Sequence, residues 1–294
     1  MTCELRHETH DDGIVSLWLG SPSRSVVVLD AWLLEQVHRF FDMLDHESEP
    51  RGFILHSASD RVFVAGADLA EIQSLDDDQL HAYLERGASA FARISNLNCP
   101  SVAAIRGAAL GGGLEIAMHC DELIAQLPAL DAKPFRVGLP EAGLGLCPGW
   151  GGTQMLTARI DPAEAIRMTA TGETPKVTEF PSGLFSETID AEADLLSAAV
   201  ANIESQLASG RNAARDSKPL AINDENRVRI KAGLDLIQRE LPDTPAAQAV
   251  VEAVEVGLKD GWKAAIAAER RLLVNLRHTP EATSRLEAFF AKSA

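Results

Sequence analysis

The sequence has little of what commits a chain to metal, redox, membrane or nucleic-acid chemistry. Its 294 residues include four cysteines. Cys3, Cys99, Cys120 and Cys147 lie far apart and form no CxxC pair, which excludes a zinc knuckle and a thioredoxin-like motif and predicts reduced, mostly buried thiols. His7 and His10 flank Glu8 and Thr9, a spacing unlike the HExxH pair that sets two imidazoles on one helix face, so no metal is expected. No apolar run is long enough to span a membrane, since the stretch Ser101 to Ala125 is broken at Arg106 and Glu115. The opening MTCELRHETHDDG lacks a basic start followed by an apolar segment and a small-residue cleavage site, so the expected location is cytoplasmic. Positive charge is also short. With 43 acidic against 27 basic residues the net charge is −16, which disfavours a phosphate backbone as the main partner; a small anionic ligand needs only a local basic patch. There is no tandem repeat, and the acidic run Asp76 to Asp78 reads as a solvated turn.

What is present is a soluble globular composition, 46% hydrophobic and 24% charged. Apolar residues alternate from Gly13 to Gly20, and a short apolar strand follows at Phe53 to His56. Between them Leu33, Leu34, Val37, Phe40, Phe41 and Leu44 form one helical stripe, with Asp30 placed to cap it. A helix from Gln79 to Ile94 precedes Pro100 and the strand Ser101 to Ile105. This alternation predicts an α/β layer core over residues 1–190. Residues 191–294 read as helical, with helices over 191–208, 225–240, 245–258 and 261–288 and breaks at Ser209 to Pro219 and Pro242 to Pro245.

Three segments carry the candidate chemistry. In FVAGADLAEI, Ala65, Gly66 and Ala67 leave the main chain open to a ligand, and Asp68 is placed to cap a helix starting at Leu69. In IRGAALGGGLEIAMHCDELIA, Gly111 to Gly113 precede the helical pattern Leu114 to His119, so the Gly112 N–H would stand free at a helix start. Two such donors converging on one point would form an oxyanion hole for a thioester carbonyl. The same glycines could instead serve only to pack a helix tightly on a strand. The third segment, VGLPEAGLGLCPGWGGTQML, places Glu141 in apolar company, as Glu115 is placed in the second. A carboxylate there is costly unless paired or used, although either one could face water. GLGLCP begins like a dinucleotide fingerprint, but Pro148 holds its last glycine position, which excludes NAD.

In this order and at these separations, the AGAD turn, the ALGGGLE turn and PEAGLGLCPGWGGTQ resemble the enoyl-CoA hydratase/isomerase family, the crotonase superfamily, over roughly Gly13 to Gly172. In detail they are most similar to the hydratase part of multifunctional fatty acid oxidation α subunits, which share a segment like SVVVLD, Ser25 to Asp30, and a long helical extension. The resemblance implies a spiral core of strand-strand-helix units and a helical C-terminal region. It also implies an acyl-CoA substrate with no separate cofactor, and a homo-oligomer, either a trimer or a dimer of trimers. By position, it assigns oxyanion donors to the N–H groups of Ala67 and Gly112, and the two hydratase glutamates to Glu115 and Glu141. Glu115 would activate water and Glu141 would exchange the proton at the α carbon, with Ala65, Gly66, Asp68 and Gly111 lining the substrate. The position where several relatives carry a lysine near CoA is Ala70; Arg61 is a weak substitute, and Arg106 reads as a surface arginine. The expected activity is hydration of a trans-2-enoyl-CoA. An isomerase, another CoA lyase or hydrolase of the superfamily, and an inactive CoA-binding scaffold remain as alternatives. The amphipathic run Trp262 to Leu273 would cover this chain's core or a neighbour's.

Overall fold

The computed structural model describes residues 3–20, 26–47, 49–210 and 219–293; Ser25 of the SVVVLD segment and residues 211–218 of the expected break lie outside them. Strands β1 (His7–Thr9), β2 (Ile14–Leu19), β3 (Gly52–Ser57), β5 (Ser101–Ile105), β7 (Glu122–Gln126) and β9 (Glu187–Ile189) form one sheet in the order β1-β2-β3-β5-β7-β9. All its pairings are parallel except that of β1 with β2. A second parallel sheet joins β4 (Val62–Val64), β6 (Ala108–Leu110) and β8 (Val137–Gly138). Each large-sheet strand from β3 to β7 is followed by a small-sheet strand and then a helix, so the chain winds as a spiral of strand-strand-helix units.

The helices follow the expected stripes. In α1 (Ala31–Leu44) the buried residues are Leu33, Leu34, Val37, Phe40, Phe41, Leu44 and also Gln36, and the Asp30 carboxylate accepts from Leu33 N–H. After α2 (Leu69–Ser74), the helix α3 (Asp77–Ser95) begins with a capping box between Asp76 and Gln79. The acidic run is therefore a helix start rather than a free turn, and Asp77 pairs with Arg277 and His278. Next come α4 (Gly112–Met118), α5 (Gly152–Arg159) and α6 (Pro162–Thr171).

The two faces of the large sheet are covered differently. Ile14, Ile54, Val102, Ala104 and Ile124 pack against Ala199 and Ile203 of α7 (Leu195–Ala208). The opposite face belongs to the main core, which continues into α8 (Arg227–Ile237), α9 (Pro245–Asp260), α10 (Trp262–Leu276) and α11 (Pro280–Ser293). The helix expected over 261–288 is thus two helices. Thr279 Oγ1 donates to Leu276 C=O and accepts from Ala282 N–H, ending one helix and capping the next, and Pro280 has no N–H with which to continue the first ladder. None of the four cysteines forms a disulfide, and Cys99, Cys120 and Cys147 are buried. Among the described residues, no helix is long and apolar enough to cross a membrane.

Candidate active site

The two glycine-rich turns lie side by side because β4 and β6 are parallel neighbours, Val62 opposite Ala108 and Val64 opposite Ala109, and both run out into small residues at the same end. A Cβ added to Gly66 would stand 3.2 Å from the Leu110 carbonyl oxygen, so the turns are in contact. Ala65 N–H donates to Val27 C=O at 2.8 Å, and Gly111 N–H to Gly138 C=O at 2.9 Å. The Ala67 and Gly112 N–H groups donate to no group among the described residues. The triple glycine has three separate reasons. Gly111 holds φ 53°, and a Cβ there would come within 2.5 Å of Glu141 Oε1. At Gly112 a Cβ would strike the Trp150 ring at 2.4 Å, and at Gly113 the Val64 carbonyl oxygen at 2.2 Å. Tight packing of helix on strand therefore accounts for Gly113, while Gly111 and Gly112 make room for the groups around the cavity.

Glu115 occupies the first turn of α4 and is 1% exposed. Its Oε1 accepts from Trp150 N–H and Gly152 N–H, each at 2.8 Å. Burial pushes its carboxyl up to about 7, against the pull of these backbone donors. Glu141 opens a 3-10 helix, Glu141–Leu144, directly after Pro140. Its Oε2 is buried and has no hydrogen-bond partner among the described residues. Burial first and the charge of Glu115 second hold its carboxyl well above the ordinary range. One carboxylate is thus held by backbone donors and the other is not.

Both glutamates line a cavity of about 590 Å³, together with Ala65, Gly66, Ala67, Asp68, Gly111 and Gly112. All the candidate site residues are therefore gathered around one space. Asp68 is there chiefly as a cap, since its Oδ1 accepts from the N–H groups of Ala70 and Glu71. The remaining wall is apolar, with Leu84, Leu144, Leu146, Trp150, Leu273, Phe289 and Phe290. Neither Arg61 nor Arg106 reaches it; Arg106 pairs with Asp60 and Gln126, as a surface arginine would.

Sequence reasoning missed the contribution of the last two helices. Leu273 of α10 and Phe289 and Phe290 of α11 close the cavity, so the Trp262 to Leu273 run covers this chain's own core. Arg285 Nη1 donates to the carbonyls of Ala142 and Gly143 at 2.9 and 3.2 Å, on the 3-10 helix that carries Glu141. Glu269, wholly buried, accepts from Gly151 N–H at 2.6 Å and from Thr153 N–H at 3.0 Å, and also from the Thr153 hydroxyl. A signal for Glu269 existed: it falls within the buried stripe Ala265, Ala268, Leu272, Leu273, Leu276.

A spiral of strand-strand-helix units, with two open glycine turns and two glutamates around one cavity, defines an enzyme of the crotonase superfamily. Comparison with known proteins agrees: residues 11–255 match the enoyl-CoA hydratase/isomerase family, and the chain belongs to it. It is 30% identical over 295 residues to the fatty acid oxidation complex subunit alpha of Idiomarina loihiensis, and 29% identical over 289 residues to that of Shewanella amazonensis. These matches cover 97% and 96% of this chain but 40% of each relative, so the chain spans well under half the length of these relatives. Among solved structures, an enoyl-CoA hydratase from Bacillus anthracis is similar with TM-score 0.61 and 26% identity, covering 98% of this chain and 96% of that one. Human mitochondrial delta3-delta2-enoyl-CoA isomerase shares the fold with TM-score 0.69 at 20% identity, covering 98% of this chain and 97% of that one.

Proposed function

We propose that this chain is an enoyl-CoA hydratase that adds water to a trans-2-enoyl-CoA thioester. The observation that carries the reading is the asymmetry of the two glutamates on one cavity. Glu115 is held by two backbone N–H groups, and Glu141 has a buried oxygen without a partner.

In this reading the thioester oxygen sits against the N–H groups of Ala67 and Gly112, which stabilise the charge that grows on it as the enolate forms. Glu115 takes a proton from water while the water oxygen bonds to the β carbon. Glu141, whose hold on a proton burial strengthens, delivers its proton to the α carbon. The acid and base are set apart by their surroundings rather than by residue type. Proton exchange with solvent then restores both groups. The apolar wall made by Leu84, Leu144, Leu273, Phe289 and Phe290 suits the acyl chain.

The test is a paired assay on crotonyl-CoA and a longer trans-2-enoyl-CoA, following loss of enoyl absorbance and product mass. A product heavier by one water, lost in both Glu115→Gln and Glu141→Gln, supports the assignment. Conversion without gain of water makes the protein an isomerase. Binding of acyl-CoA without turnover makes it a scaffold.

A further inference from the structure

The loop that holds Glu115 is itself held from the other side. Four successive backbone N–H groups alternate between two carboxylates: Trp150 and Gly152 donate to Glu115 Oε1, while Gly151 and Thr153 donate to Glu269 Oε2 and Oε1. Consecutive peptide N–H groups in this turn point to opposite sides, and Gly151, at φ 102°, makes the reversal possible. The turn is closely packed on both sides. A Cβ on Gly151 would meet the Trp262 ring at 2.4 Å, and one on Gly152 would meet Glu115 Oε1 at 3.0 Å.

Glu269 is 0% exposed and lies off the cavity wall, so it touches no substrate. Among the described residues no cation pairs with it, and the hydrogen bonds to its carboxylate all come from this loop. A buried carboxylate is costly to keep without a use, and here its use is to anchor donors that would otherwise be free to follow Glu115. The anchor extends further back, because Thr153 Oγ1, which donates to Glu269, accepts from Gln154 Nε2, and that amide also donates to Ala253 C=O of α9.

We propose that Glu269 is a positioning residue for the reaction: it fixes the 150–153 loop from the C-terminal side so that Trp150 and Gly152 hold the Glu115 carboxylate at the cavity. This rests on the hydratase reading of that site. Without Glu269, the Gly151 and Thr153 donors lose their acceptor and the loop turns toward the remaining carboxylate. Glu115 is then drawn out of line, while the acyl-chain wall of Leu84, Leu144, Leu273, Phe289 and Phe290 lies outside this loop and keeps its place.

The test compares Glu269→Met, which keeps the volume and removes the acceptors, with Glu269→Gln, which keeps one carbonyl oxygen. Val274→Ala, a buried position on the same helix that does not line the cavity, serves as a packing control. Since a displacement of about 1 Å at a reacting group costs on the order of 100-fold, the Met variant should lose about that factor in kcat with KM within about threefold. The Gln variant should fall between it and the native protein. Hydrogen exchange of the Gly151 and Thr153 amides should rise about tenfold in the Met variant and stay unchanged in Val274→Ala, because only the former removes their acceptor. The proposal is overturned if Glu269→Met keeps kcat within about twofold, or if its loss merely tracks its lowered Tm as in the control. If Glu269→Met does not fold, Glu269→Gln against Val274→Ala decides by the same readouts. Should the native protein hydrate no enoyl-CoA, the functional reading fails, and amide exchange still decides whether Glu269 holds the loop.

Discussion

The glycine-rich turns and the C-terminal helices both support the two glutamates, by opposite means. The turns act through what they omit: at Gly111 and Gly112 the absence of a Cβ lets Glu141 Oε1 and the Trp150 ring approach the main chain. The helices act through what they add, long charged side chains reaching backbone groups beside the site, Glu269 from α10 to the loop behind Glu115 and Arg285 from α11 to the 3-10 helix behind Glu141. An absent atom exerts its effect locally. A reaching side chain does so across more than a hundred residues of sequence.

The comparison can be broken most severely at the glutamates themselves. Removing a general acid or base costs about 100- to 10,000-fold, so Glu115→Gln and Glu141→Gln should each abolish most hydration in the paired assay. Their stabilities should part. Glu115→Gln leaves the Trp150 and Gly152 donors on a neutral amide oxygen in place of a carboxylate oxygen and lowers Tm, whereas Glu141→Gln alters an oxygen that has no hydrogen bond to lose and leaves Tm unchanged. Equal Tm changes would mean that the two carboxylates are not differently supported.

A smaller break lies in the turns. Gly113→Ala would press a methyl to 2.2 Å from the Val64 carbonyl oxygen, where backbone has to move, and should cost about 3 kcal/mol in urea unfolding. Gly143→Ala, with nothing within 4 Å of its Cβ position, should cost well under that, about 1 kcal/mol at most.

Next is pH. Burial holds Glu115 at about 7 and Glu269 at about 8, and Glu141 is raised in the same direction. The unfolded chain releases these protons near 4.5, so the stability they contribute is complete below that pH and is lost as pH rises through about 7 to 8. Tm should therefore fall over that window, and the fall should be shallower in Glu269→Gln. A Tm that climbs equally in both proteins across the window would refute the raised carboxyls.

The smallest effect belongs to Arg285→Ala. It removes hydrogen bonds to Ala142 and Gly143, worth about 1 to 2 kcal/mol to the local 3-10 helix, and should lower kcat several-fold with little change in fold. A kcat unchanged within error would leave α11 as a cover only.

How much of this was legible follows from the range over which each force acts. Helices α1 and α3, the strands β2, β3 and β5 of the large sheet and the Asp68 cap are encoded in patterns of a few residues, because periodicity and capping are local. The small sheet left no such trace. β4, β6 and β8 have two or three residues each, too short for alternation to show, and only their pairing makes them strands. The division at Thr279 was available from Thr-Pro, but the apolar repeat on both sides of it reads through.

By itself, the sequence determined the α/β class, the helical C-terminal part, and the residues of both turns and both glutamates, since each is marked by residue types with few conformational alternatives or a high cost of burial. Only the tertiary structure decided that the turns touch, that Glu115 is held by donors while Glu141 Oε2 is not, and that Glu269 shares a loop with Glu115. These depend on where backbone N–H groups point once distant segments have packed. Every residue except proline carries such a donor, so no residue type in the sequence announces which of them will be left free or captured.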